Sequence, residues 1–128
     1  MVALVLEEEH SEVVHRLMDR WVGEDTMLHA PLLAQYEVAT VLTRKRTKKS
    51  LSKAKADEAL EILNELDVVY HIAPDNARAI ELAVAMKRYR ASDAVYLALA
   101  EELGTVMWTL DGKLANHHVS RHLTKLID

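Results

Sequence analysis

A chain of 128 residues, half of them hydrophobic and 28% charged, has the composition of one folded domain with a real core, not of a disordered segment. It has no cysteine, which excludes a disulfide framework and a thiolate zinc centre. The net charge of −4 hides a local basic patch: Arg44, Lys45, Arg46, Lys48, Lys49, Lys53 and Lys55 are seven of its sixteen basic residues.

In chain order, residues 1–9 read as a short helix. Met1-Val-Ala-Leu-Val-Leu6 faintly resembles a signal-peptide core, but it lacks a basic flank and three glutamates follow it, so it is read as part of the domain. Ser11 to Val22 is a second helix, closed by Gly23. Thr26 to Ala30 is an apolar run consistent with a buried strand, and Pro31 suits the first turn of a helix that continues to about Arg46. Ser50 or Ser52 caps the next helix, whose Ala56, Ala59, Leu60, Leu63 and Leu66 have helical spacing.

Asp67 to Ile72 is a second strand, ended by Pro74, and Asp75 is the N-cap of a helix reaching Tyr89. Ser92 to Leu103 is helical and apolar on every side from Ala94 to Ala100, which predicts burial between layers. Gly104 ends it. Thr105 to Leu110 forms a third strand, followed by a short helix around Lys113 to His118 and a last strand from Leu123 to Ile127. Continuously apolar strands separated by helices predict one α/β domain, a three-layer α/β/α sandwich with a mostly parallel sheet. The longest apolar run, Ala94 to Ala100, is far short of the ~20 residues of a membrane span, and a cytoplasmic protein with no membrane contact is expected.

Three acids stand at the edge of, or inside, segments too apolar to favour a charge: Glu37, Asp93 and Asp111. An unpaired buried carboxylate costs several kcal/mol unless a cation or a donor compensates it. Each also has an ordinary explanation. Glu37 could reach solvent or an arginine, Asp93 could share helix capping with Ser92, and Asp111 before Gly112 could be turn chemistry. Their joint placement favours a shared partner, of which a divalent metal is the simplest. Ligands of open α/β sheets gather beyond the carboxyl ends of the strands. Asp111 stands at such an end, and Asp93 opens a helix that enters from the same rim.

The helix with Leu33-x-x-x-Glu37-Val-Ala-x-Val-Leu42, the block Ala91-Ser-Asp93-Ala-x-Tyr-Leu-Ala-Leu-Ala-Glu101, the Gly104-x-x-x-x-Thr109-x-Asp111 ending and the following Lys113-Leu114 resemble a PIN domain. The likeness is closest to the VapC-type toxins of toxin–antitoxin pairs. The resemblance implies that Glu37, Asp93 and Asp111 belong to a four-acid Mg²⁺ or Mn²⁺ site that hydrolyses RNA phosphodiesters. It gives Thr109 a supporting hydroxyl, and Ser92 is a supporting neighbour of Asp93. It also implies a cognate antitoxin and a homodimer.

The family's first strand, which ends in the fourth acid, has no counterpart here, because the chain opens in the helix that follows it. Glu7, Glu8 and Glu9 are poor substitutes, lying ~9 Å or more from that helix's start at ~1.5 Å per residue. A parallel sheet without its central strand leaves backbone groups unpaired, so the natural chain is expected to begin roughly ten residues before Met1. The rival expectation is a variant whose sheet is repaired by another segment, a partner or a swapped strand.

Of the basic patch, Arg44, Lys45, Arg46, Lys48 and Lys49 are read as RNA-binding, against the ordinary alternative of cations favoured at a helix C-terminus. His118 and His122 have i, i+4 spacing but no zincin pattern, and the seven histidines are read as structural or surface residues. Trp21 and Trp108 are read as core. No phosphate-cradling glycine loop or nucleophile elbow occurs. Two functional readings remain: a metal-dependent ribonuclease, and a PIN-like scaffold with an impaired metal site that binds RNA or protein without cutting. A phosphoacceptor receiver is more distant, because neither its early acidic pair nor its late lysine is in place.

Overall fold

In the computed structural model the described residues are 11–72, 75–87 and 91–127. The helix expected over residues 1–9 lies outside them. The chain forms two compact units, Met1–His29 with Leu33–Val69 and Ala30–Leu32 with Tyr70–Asp128.

The first unit is helical. Helix α1, Ser11–Gly23, buries Val14, Leu17 and Met18, an i, i+3, i+4 stripe that gives it one apolar face. Its exit differs from expectation. The left-handed position belongs to Asp25 (φ 54°) and not to Gly23, and Thr26 N–H donates to Trp21 C=O at 2.8 Å. Aspartate tolerates this conformation better than most residues, so no glycine is required.

Helix α2, Leu33–Thr47, begins two residues beyond Pro31, which instead ends strand β1, Leu28–Pro31. A proline cannot donate to a ladder, and a strand end is where that loss is tolerated. The next amide, Leu32 N–H, donates to His71 C=O at 2.9 Å. Helix α3, Lys53–Glu65, is capped by Ser52, whose hydroxyl accepts from Lys55 N–H at 3.2 Å, and it buries Ala56 and Ala59. It packs against α2. Strand β2, Val68–His71, pairs with β1 in a two-stranded sheet.

The second unit contains the larger buried cluster. Helix α4, Asn76–Ala85, is capped as expected by Asp75, which accepts from Arg78 N–H at 3.2 Å. Helix α5 spans Ser92–Leu103, the predicted bounds, and stops at Gly104 in the left-handed conformation (φ 67°). Ala79, Leu82, Ala83 and Met86 pack on Ala94, Leu97 and Ala98, with Leu114 and Leu123 completing the cluster. Arg78 straps α4 to α5 through Nε–Oε1 (2.7 Å) and Nη2–Oε2 (3.0 Å) bonds to Glu101, and it also reaches Glu81 at 3.3 Å.

Strand β3, Met107–Thr109, runs parallel to β4, Thr124–Leu126, with Trp108 opposite Lys125 and Thr109 opposite Leu126. Between them lie helix α6, Gly112–Asn116, and a 3₁₀ turn, Arg121–Leu123. The fully buried Ser120 ties this connection together by donating to Leu114 C=O at 2.6 Å.

The α/β class and the parallel pairing agree with the sequence reading. The strands are three or four residues long, shorter than the apolar runs that announced them. Among the described residues no helix is long and apolar enough to cross a membrane.

Candidate active site

Asp111 is the most fully explained of the three acids. It follows β3 and is the N-cap of α6. Its Oδ1 accepts from Lys113 N–H at 3.0 Å and Leu114 N–H at 3.2 Å, two of the amides that a helix start leaves unsatisfied. Its own N–H donates to Thr109 Oγ1 at 3.0 Å. Thr109 is 8% exposed, and its carbonyl accepts from Ile127 N–H at 2.8 Å. The residue is therefore fixed at two points, its backbone amide by Thr109 and its carboxylate by the amides of the helix ahead. Both capping bonds use Oδ1, so Oδ2 remains for another ligand.

Asp93 is half-buried and is the second residue of α5, where the partial positive charge of the helix start favours a carboxylate. The expected capping by Ser92 is not what the structure shows. The N-cap is Ala91, which makes no side-chain cap bond, and Ser92 and Asp93 are already inside the helix.

Glu37 lies in the first third of α2 and is half-buried, as are Leu33 and Val41 on either side of it along the helix. It belongs to the first unit, whereas Asp93, Asp111, Ser92 and Thr109 belong to the second. The structure brings Thr109 and Asp111 together directly. Among the described residues no three His, Asp or Glu side chains form a group able to hold a metal ion. The donor chemistry is nonetheless that of a hard cation: carboxylate oxygens without sulfur or imidazole are the ligands Mg²⁺ and Mn²⁺ prefer.

The basic segment divides in two. Lys53 is paired with Asp57 at 2.7 Å and Lys55 with Glu58 at 3.4 Å. Among the described residues Arg44, Arg46, Lys48 and Lys49 have no carboxylate partner, and all four are exposed.

Among the described residues His15, His29, His118 and His122 are exposed, and His71 and His117 are half-buried. His117 and His118 stack with ring centroids 4.6 Å apart, and His117 Nδ1 accepts from Val119 N–H. Sequence reasoning missed two cationic contacts. One is the Arg78–Glu101 pair. The other is Lys125 Nζ lying 5.0 Å from the centre of the Trp108 ring, which is half-buried beneath it. The Arg78 hydrogen bond holds the Glu101 carboxyl below its ordinary value, burial opposes that shift, and the charges of Arg78 and His122 reinforce it. The i, i+3 spacing of Arg78 and Glu81 was a legible hint that α4 carries ion pairs; the partner on α5 gave no local signal.

Residues 1–118 match the family model described as PIN domain. The chain is 36% identical over 100 residues to proteins named Ribonuclease VapC3 from two Mycobacterium tuberculosis strains, CDC 1551 / Oshkosh and H37Rv. The match covers 76% of this chain and 69% of each relative. It is also 36% identical over 120 residues to a Ribonuclease VapC3 of Pyrobaculum aerophilum, a match covering 90% of this chain and 86% of that protein.

Proposed function

The chain belongs to the PIN domain family, and on that premise we propose that it is a metal-dependent endoribonuclease of the VapC toxin type. The observation that carries this reading is the 36% identity with a protein named a ribonuclease, in a match that covers 90% of the chain. Glu37, Asp93 and Asp111 hold Mg²⁺ or Mn²⁺ on this reading; they bind the ion and do not attack RNA. Such an ion supplies an activated water and charge neutralisation at the scissile phosphate.

The chain's own residues do the positioning. Thr109 and the α6 amides orient Asp111, and the start of α5 favours the negative charge of Asp93. Arg44, Lys45, Arg46, Lys48 and Lys49 hold phosphates flanking the cleaved bond. Single-stranded or looped RNA is the substrate class, because its unstacked backbone is open to approach by a carboxylate-bound ion. A cognate antitoxin, a homodimer and a cytoplasmic setting complete the proposal.

A second reading is favoured by the lack, among the described residues, of any three-donor group. It is a PIN-like scaffold that binds RNA or protein without cutting. The two separate in one experiment. The full chain is incubated with single-stranded RNA in Mn²⁺ and in EDTA, beside Asp93→Asn. Cleavage by the parent in Mn²⁺ alone, lost in Asp93→Asn with an unchanged melting temperature, supports the nuclease. Cleavage by Asp93→Asn at the parent rate removes Asp93 from the site, and RNA binding without cleavage by the parent leaves the scaffold.

A further inference from the structure

The turn after α2 is built from two kinds of side chain. Residues 43–50 read Thr-Arg-Lys-Arg-Thr-Lys-Lys-Ser, so every position carries a cation or a hydroxyl. All but the half-buried Lys45 are exposed. Arg, Lys, Ser and Thr are the side chains that contact phosphate and sugar oxygens. A protein partner's docking surface needs aromatic or aliphatic anchors at its centre, and none stands in this tract. The composition therefore favours a nucleic-acid backbone over an acidic protein segment.

The backbone already supplies hydrogen bonds that basic side chains could otherwise make to the end of α2. Ser50 N–H donates to Lys45 C=O at 2.9 Å and Lys49 N–H to Arg46 C=O at 3.0 Å, while Lys48 N–H donates to Arg44 C=O. The carbonyls of Arg44, Lys45 and Arg46 are thus already satisfied by the turn itself, and the basic side chains are not needed to cap those three.

Lys49 occupies the left-handed position of this turn (φ 58°). Glycine is the residue favoured there, because any Cβ is crowded by the neighbouring carbonyl. At the end of α5 the left-handed position is filled by Gly104 (φ 67°), and after α4 it is filled by another lysine, Lys87 (φ 57°). A lysine there is less favourable than glycine, and among the described residues its side chain makes no hydrogen bond or ion pair that would offset this.

We propose that residues 43–50 form a sequence-independent clamp for the RNA phosphodiester backbone, in which Arg44, Arg46, Lys48 and Lys49 bind phosphates while Lys53 and Lys55 do not. Lys49 is retained at the left-handed position for its charge, at the expense of stability. Lys48, one residue past the helix, is tied by its N–H to the Arg44 carbonyl, which keeps the i, i+4 spacing at roughly 5–6 Å between Cβ atoms and lets the two cations serve successive phosphates. Lys53 and Lys55 already spend their charge on Asp57 and Glu58. The clamp rests on the ribonuclease reading and identifies how its substrate is held.

The test measures binding of a fluorescent single-stranded RNA of mixed sequence to the full chain in EDTA across a salt series. Lys49→Gly is expected to raise the melting temperature by about 2–4 °C and to weaken binding about threefold to tenfold at low salt. Lys49→Arg restores the affinity. Replacing Arg44, Arg46, Lys48 and Lys49 together by Ala lowers the slope of log affinity against log salt by about 2–3, at ~0.7 per phosphate contact on a single strand. The Lys53→Ala, Lys55→Ala double variant keeps the parent slope.

An unchanged slope in the fourfold variant overturns the clamp, and so does an equal loss in the double variant. If the fourfold variant binds RNA normally but loses a poly-glutamate peptide, the tract docks protein and the proposal is overturned. Cleavage in Mn²⁺ is followed alongside. A parent that cuts RNA while the fourfold variant keeps its slope overturns the clamp alone; a parent that neither binds nor cuts RNA overturns the ribonuclease reading as well.

Discussion

Asp111 has two roles that can be separated by chemistry. Its Oδ1 caps α6 and, on the proposed function, its carboxylate also binds a cation. Asparagine keeps an acceptor oxygen at the cap and loses the charge, whereas alanine loses both. Asp111→Asn is expected to retain the parent melting temperature while losing metal-dependent cleavage, and Asp111→Ala additionally to lose about 0.5–2 kcal/mol of stability. Equal melting temperatures for the two variants in thermal denaturation would remove the capping role. Thr109→Val leaves Asp111 N–H without its acceptor next to a buried position, at about 1–3 kcal/mol, whereas Thr109→Ser keeps the bond. Glu101 sets a pH dependence. Its folded pKa is depressed, chiefly by the Arg78 hydrogen bond, so its contribution is full above the ordinary value of 4.5 and is lost as pH falls below it. The pair is more than a third exposed and screened by solvent, so the effect is small. Melting curves from pH 7 to pH 3 should show parent and Glu101→Gln converging at the acid end, and parallel curves would assign the pair no stabilising role.

At the scale of the element, α5 is the clearest case of a legible sequence. Its C-terminal end is marked by Gly104, and its apolar run from Ala94 to Ala100 has no polar face to expose. Leu97 at its middle is fully buried against α4. Leu97→Ala is expected to cost about 2–5 kcal/mol in urea denaturation, and a loss under 1 kcal/mol would mean that the α4–α5 layer collapses around the gap. Boundaries set by distant partners were harder to read. Pro31 joined β1 because the ladder with β2 continues to Leu32 and His71, about forty residues apart, and nothing local to Pro31 announces that. The exit of α1 was misread by one signal taken too literally: Gly23 stands near the end, yet Asp25 takes the left-handed conformation. Arg78 and Glu101 lie on different helices, so their pairing is a consequence of packing and invisible to periodicity.

For the whole molecule, the α/β class followed from local pattern, and the residue types of the proposed site followed from three short motifs. Their mutual arrangement did not, since it depends on how helices from two units are placed, and periodicity carries no information about that. A metal that binds only the native state reports on this arrangement without relying on catalysis. It stabilises by RT ln(1 + [L]/Kd), about 2.7 kcal/mol at a hundredfold excess over Kd, or roughly 10 °C for a chain of this length. The full chain is therefore expected to melt progressively higher as Mn²⁺ is added. Glu37→Gln, Asp93→Asn and Asp111→Asn should each flatten that rise, whereas Glu101→Gln, which removes a carboxylate already paired with Arg78, should keep it. If Glu37→Gln alone leaves the rise intact, the ion is held by the second unit's acids and the three-acid assignment contracts to two. If the parent shows no rise at millimolar Mn²⁺ yet binds RNA, the non-cutting scaffold replaces the nuclease. A rise that all three acid variants lose makes Glu37 a ligand together with Asp93 and Asp111, although the three come from separate stretches of the chain.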